Sequence, residues 1–202
     1  MPFATQPPTR GPVLPRLVLT GPESSGKSVL AAALAEHLDG VLVSEYLRDY
    51  FSNNGALSLA DAIPIAQGQW RREEQGAAKA RQDGRVLICD TDLISSLVYS
   101  KYYYAAEINS PLWALWQAWA ARHLARLKAG PLSPRLYILC GIDWPWVDDG
   151  QRDAPDDRGM FHALFQAALK QHGCTCLAVT GSLDERLGAV LAHLGQSHVR
   201  RG

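Results

Sequence analysis

The chain has 202 residues, with 20 lysines and arginines against 20 aspartates and glutamates. A chain of that length fits one domain whose continuous core needs neither disulfide nor metal, and its balanced charge excludes a global field that would draw it onto nucleic acid or an acidic membrane. Small-molecule chemistry is the better fit. Met1 to Pro15 is rich in proline and polar residues and has no apolar core of a signal peptide, so it reads as a disordered leader. A folded domain is expected over 16–195 and a flexible tail over 196–202. No apolar run approaches the roughly 20 residues that cross a bilayer, and a cytoplasmic protein is expected.

Leu17 to Thr20 reads as a buried strand, and Gly21-Pro22-Glu23-Ser24-Ser25-Gly26-Lys27-Ser28 follows it as a complete G-x-x-x-x-G-K-[ST] loop. A helix over Lys27 to Leu38 comes next. In that context the glycines let successive N–H groups point inward, and the helix adds its positive end, so a phosphate-sized anion fits the concavity. Gly21, Glu23, Ser24, Ser25, Gly26, Lys27, Ser28 and Val29 are the candidate nucleotide contacts. Lys27 would reach the β- and γ-phosphates of ATP, and Ser28 would hold Mg²⁺.

Further strands are expected at Val41 to Ser44, Arg85 to Cys89, Leu136 to Cys140 and Thr175 to Val179. Further helices are expected at Tyr46 to Phe51, Leu59 to Gln82, Leu93 to Tyr104, Pro111 to Lys128, Gly159 to His172 and Leu183 to Leu194. This alternation predicts an α/β fold, a parallel sheet with helices on both faces, whose ligands gather at the carboxyl ends of the strands. Glu45 follows the second strand and can orient an attacking hydroxyl or accept its proton, or it can simply start a helix. Asp90 ends the third strand, the usual place for a carboxylate that positions Mg²⁺. Thr91 and Asp92 can face the acceptor, although Asp92 before Leu93 also looks like a helix cap.

Leu112, Leu115, Trp116 and Trp119 form one stripe at helical spacing, which is core, a homodimer contact or a stacking surface. Gly141 to Arg158 is rich in glycine, proline and charge, and reads as a mobile cover whose Arg152 and Arg158 can swing onto a transferring phosphoryl group. Cys89, Cys140, Cys174 and Cys176 read as reduced, small apolar core residues.

Taken together, the phosphate loop, Ser44-Glu45-Tyr46 with Arg48, Cys89-Asp90-Thr91-Asp92, and Trp146-Val147-Asp148-Asp149-Gly150 with Arg152 resemble the ribosylnicotinamide kinase domain of bacterial NadR-type proteins. The likeness spans roughly Leu17 to Leu194. It implies a P-loop kinase fold with a five-stranded parallel sheet and a lid, and transfer of the γ-phosphate of ATP to the ribose 5′-hydroxyl of nicotinamide riboside. It also implies that Lys27 and Ser28 serve phosphates and Mg²⁺, that Asp90 lies in the acceptor and metal region, and that Val147 to Arg152 lies in the lid. A cationic pyridinium ring would welcome aromatic faces and acids. Tyr46, Tyr50, Trp146 and Asp149 join Glu45, Asp90 and Asp92 as candidate acceptor contacts, with Trp70, Tyr103 and Trp144 as further aromatics. Full-length members of that family carry a helix-turn-helix and an adenylyltransferase domain before the kinase, so neither activity is expected from this chain.

Overall fold

The computed structural model describes residues 16–129, 135–147 and 155–199. Five strands form one sheet: β1 (Arg16–Thr20), β2 (Val41–Val43), β3 (Leu87–Asp90), β4 (Arg135–Cys140) and β5 (Thr175–Val179). Their order is β2-β3-β1-β4-β5, and every neighbouring pair is parallel. Parallel neighbours need long crossovers, which helices supply. These are α1 (Lys27–His37), α2 (Tyr46–Asn54), α3 (Ala62–Asp83), α4 (Leu93–Tyr103), α5 (Pro111–Ala129), α6 (Arg158–Gln171) and α7 (Leu183–Val199). The α/β architecture, one five-stranded parallel sheet with helices on both faces, is the one expected from the sequence.

Side chains alternate across each strand, and the core divides accordingly. Leu17, Leu19, Ile88, Leu136, Ile138 and Cys140 face α1 and α7, meeting Leu30, Leu34 and Val190. Val18, Cys89, Tyr137 and Leu139 face the opposite way, toward Ala77 of α3, Ile94 and Val98 of α4, and Phe161 and Phe165 of α6. Because both faces are covered, β1 is buried at all five residues, which explains the unbroken apolar run Leu17-Val18-Leu19 at its centre.

Some boundaries differ from the sequence reading. Leu59–Asp61 is a separate 3-10 turn, closed by a Ser58–Asp61 capping box, rather than the start of α3. The third strand begins only at Leu87, because Arg85 turns aside to bind the Asp39 carbonyl and carboxylate. α7 runs through Val199, into the expected tail. The tryptophan stripe is core: Trp116 is fully buried, donates to Ser100 Oγ at 2.9 Å and stacks on Trp119, whereas Leu115 leaves the stripe at 62% exposure. All four cysteines are free, but Cys176 is exposed on the edge strand β5 and so is not the core residue expected. The leader at 1–15 lies outside the described residues. No helix among those described is long and apolar enough to cross a membrane.

Candidate functional site

The sheet order reverses at β1, so the crevice for a ligand opens at its carboxyl end. The phosphate loop leaves β1 there, and two of its glycines are geometrically required. Gly21 has φ of 134°, and a Cβ on it would stand 2.9 Å from the Cys140 carbonyl. Gly26 has φ of 80°, and a Cβ there would lie 2.8 Å from the Trp144 ring. Alanine at Gly26 therefore meets a left-handed backbone and a fixed indole together. We expect Gly26→Ala to lose at least about 1–2 kcal/mol of stability and nearly all nucleotide affinity, as read by denaturation and by titration with an ATP analogue.

The loop is braced from behind. Ser25 Oγ donates to the Pro22 carbonyl at 2.7 Å. Arg186 of α7, 0% exposed, donates to the carbonyls of Ser25 at 2.5 Å, Gly181 at 3.0 Å and Gly141 at 3.4 Å, and to Asp143 Oδ1 at 2.9 Å. Its guanidinium also lies 4.7 Å from the Trp144 ring, whose Nε1 donates to Gly181 O at 2.7 Å. These contacts tie the loop to the ends of β4 and β5.

α1 opens at Lys27 with Gly26 as its cap and no side chain capping it, which leaves its first N–H groups to a ligand. Ser28 and Val29 are exposed at that end. The Lys27 ammonium donates to the Pro22 carbonyl at 2.7 Å, within the loop it would serve.

Two acids converge opposite. Asp90 pairs in register with Leu19 of β1 and is 5% exposed, and its Oδ1 has no hydrogen-bond partner among the described residues. Glu45 precedes the first residue of α2 and forms an ion pair with Arg48 at 3.3 Å. Burial pushes its pKa up, Lys27 pulls it down, and Asp90 raises it again, so its ionisation responds to both of these charges. Gln69 of α3, which sequence reasoning missed, locks the two acid-bearing turns together. Its Oε1 accepts from the Tyr46 amide at 2.8 Å and its Nε2 donates to the Thr91 carbonyl at 3.4 Å.

Strain and unsatisfied groups concentrate here. Thr91, a β-branched residue, holds φ of 73°, a conformation that costs on the order of 1–3 kcal/mol and persists mainly at functional sites. Thr20 Oγ1, Thr91 Oγ1, Ser95 Oγ and the Tyr99 hydroxyl are buried without partners among the described residues. Each such orphan costs about 1–3 kcal/mol. A divalent cation of Mg²⁺ type takes hard oxygen donors and fits the Ser28 hydroxyl with the unpartnered Asp90 oxygen, completed by phosphate oxygens.

Three candidate acceptor residues are engaged elsewhere. Asp92 caps α4 through the Ile94 amide at 2.9 Å, and its other oxygen accepts from Arg135 at 2.9 Å and Tyr137 at 2.6 Å. Both carboxylate oxygens are engaged and the residue is 1% exposed, so Asp92 belongs to the scaffold rather than to the acceptor set. The Tyr46 ring packs on Gly68 under Arg72, and the Tyr50 hydroxyl donates to Asp61 at 2.6 Å. Trp70 sits edge-on to His123 in the α3–α5 core. Of the cover, Arg158 donates to the Ser24 carbonyl at 3.1 Å and the Trp144 carbonyl at 2.8 Å, while the Val147 amide donates to Ser24 Oγ at 3.1 Å. Both described ends of the cover are thus fastened to the phosphate loop, with Trp146 half-buried beside it. Asp148, Asp149, Gly150 and Arg152 lie outside the described residues.

The chain is similar to known proteins over most of its length. It is 29% identical over 163 residues to the trifunctional NAD biosynthesis/regulator protein NadR of Salmonella typhimurium, a match covering 77% of this chain and 36% of that one. Its fold superposes on a NadR protein in complex with NR at a TM-score of 0.72 and 20% identity, covering 91% of this chain and 52% of that one. Thymidylate kinase from Ehrlichia chaffeensis shares the fold at a TM-score of 0.63 and 14% identity, covering 90% of this chain and 99% of that one. The chain thus spans about a third of the curated relative and about half of the NadR structure. The sequence model of the family described as "AAA domain" matches residues 16–186. With its phosphate loop at the carboxyl end of β1, the chain belongs to that AAA domain family.

Proposed function

We propose that this protein transfers the γ-phosphoryl group of ATP to the ribose 5′-hydroxyl of nicotinamide riboside, yielding nicotinamide mononucleotide. The observation that carries this reading is a preformed phosphate loop holding Lys27 beside the end of β3, where the buried Asp90 has a carboxylate oxygen without a partner among the described residues. The likeness to NadR, one structure of which holds NR, supports the choice of acceptor. The N–H groups of the loop and of the first turn of α1 bind the phosphates. Lys27 would leave the Pro22 carbonyl to meet the β- and γ-oxygens, and Ser28 and Asp90 would hold Mg²⁺, which would supply charge neutralisation at the phosphates. Glu45 accepts the proton of the attacking hydroxyl. In this reading Arg152 and Arg158 serve the transferring group, and Trp146 and Asp149 serve the acceptor, roles that follow from the sequence motif.

The direct test mixes purified protein, ATP, Mg²⁺ and nicotinamide riboside and measures the mononucleotide formed. Phosphorylation of a different nucleoside alone would reassign the acceptor, and no phosphorylation of any nucleoside would overturn the reading.

Glu45 must be ionised to accept a proton, and burial holds its pKa above the ordinary carboxylate value. Activity should therefore fall with pH through a limb placed higher than an ordinary glutamate gives. Glu45→Gln should remove that limb and lower turnover by about 10²–10⁴-fold. A pH–rate profile of the variant that retains the limb would assign the base elsewhere.

A further inference from the structure

Ser95 and Tyr99 stand four residues apart on α4, a spacing that stacks side chains along one helix face, and Thr91 lies in the turn ahead of that helix beside Asp90. All three hydroxyl oxygens are buried, and none has a partner among the described residues. Thr91 and Ser95 are each 95% buried, at 5% exposure. The remaining faces of α4 are occupied: Ile94 and Val98 enter the core beneath the sheet, and Leu93 and Leu97 pack against the Trp116 layer.

At the far end of this row the Tyr99 hydroxyl faces Glu23 of the phosphate loop and Glu45. Burial lifts its pKa well above that of a free phenol and both carboxylates add to the rise, while the Glu23 main chain nearby opposes it without meeting hydrogen-bond geometry. Its ring is held by Phe161 at 4.9 Å and Phe165 at 5.6 Å, centroid to centroid, so the hydroxyl is fixed in position. The Tyr99 hydroxyl therefore stands in the field of two carboxylates, and the Ser95 hydroxyl lies one helical turn away on the side of Asp90. A vicinal diol satisfies such a mixture, because each of its hydroxyls can give a proton to a carboxylate and accept one from a phenol or serine.

We propose that Ser95 and Tyr99 bind the phosphoryl acceptor by its ribose 2′- and 3′-hydroxyls, an inference that rests on the reading of this site as a nucleoside kinase. The pair makes the enzyme select ribosides over 2′-deoxyribosides. Steady-state kinetics of Tyr99→Phe and Ser95→Ala test this. Each should raise the Michaelis constant for nicotinamide riboside by about tenfold, the loss of one hydrogen bond, and leave that for ATP within about twofold. Preference for the riboside over its 2′-deoxy analogue should shrink in parallel. The melting temperature of each variant should match or exceed that of the parent, since an unpartnered hydroxyl has been removed. An unchanged acceptor constant overturns the proposal, as does a lowered melting temperature with both substrate constants raised, which marks a structural role. Should the parent protein refuse nicotinamide riboside yet phosphorylate adenosine or uridine, the choice of base fails, and the same variants are measured on that riboside. Failure to phosphorylate any riboside overturns both.

Discussion

Replacing Lys27 with alanine is expected to lower phosphoryl transfer by about 10³-fold while leaving the protein folded. The ammonium is half-buried at the mouth of the phosphate loop and, among the described residues, donates to the Pro22 carbonyl at 2.7 Å. Water can replace that bond when the side chain is cut back, so stability should change by no more than about 1 kcal/mol. What water cannot replace is a fixed positive charge aimed at oxygens that gain negative charge during transfer. Turnover and thermal denaturation, measured on the same preparation, separate the two effects. Near-normal turnover in the variant would remove Lys27 from the mechanism.

Arg135→Met should produce the largest loss of stability, about 3–5 kcal/mol, against a total of about 5–15 kcal/mol for a typical domain. Four charged side chains meet between the sheet and α3. Arg16 binds Glu73 at 3.0 Å, Arg135 binds Glu73 at 3.3 Å and Asp92 at 2.9 Å, and all four are at most 6% exposed. The set is balanced, two against two, and removing one member strands an acid in a medium that penalises charge. Burial already lifts Glu73 to about 7 against the pull of Arg135 and Arg16. Between about pH 4.5 and 7 the folded state thus holds more protons at Glu73 than the unfolded chain does. Stability from this group is full at the acid end and declines as pH rises. Without Arg135 the pull weakens, so the deficit of the variant should grow across the same window. Denaturant midpoints at pH 5 and pH 7 check both claims, and a deficit below about 1 kcal/mol at both would show that the quartet is dispensable.

The parts of this protein that are legible in its sequence are those written locally. The phosphate loop, the strand ahead of it and the acids just past β2 and β3 are contiguous signals, because a buried strand, a tight turn and a helix start each have their own residue chemistry. Less legible is whatever depends on partners far along the chain. Asp92 sits beside Asp90 in sequence and looks equally available, yet Arg135, 43 residues later, takes up its charge. Gln69 and Tyr99 read as ordinary helix residues until the fold brings them to the acid-bearing turns. Trp144 looks like a candidate for stacking on substrate, whereas it covers Gly26 and is bound to Gly181. The tryptophans of α5 carry a helical period that core and interface share, and only the neighbours of Trp116 distinguish them.

Arg186 touches the phosphate loop from 161 residues away, and its grip has a thermodynamic consequence. A glycine-bearing loop left to itself would have to be frozen by its guest, at about 1–2 kcal/mol for each residue immobilised. Here the freezing is done during folding, by a guanidinium that holds three main-chain oxygens at once. The attraction between amides and phosphates can then appear almost undiminished as affinity, and an incoming triphosphate finds its mould already set.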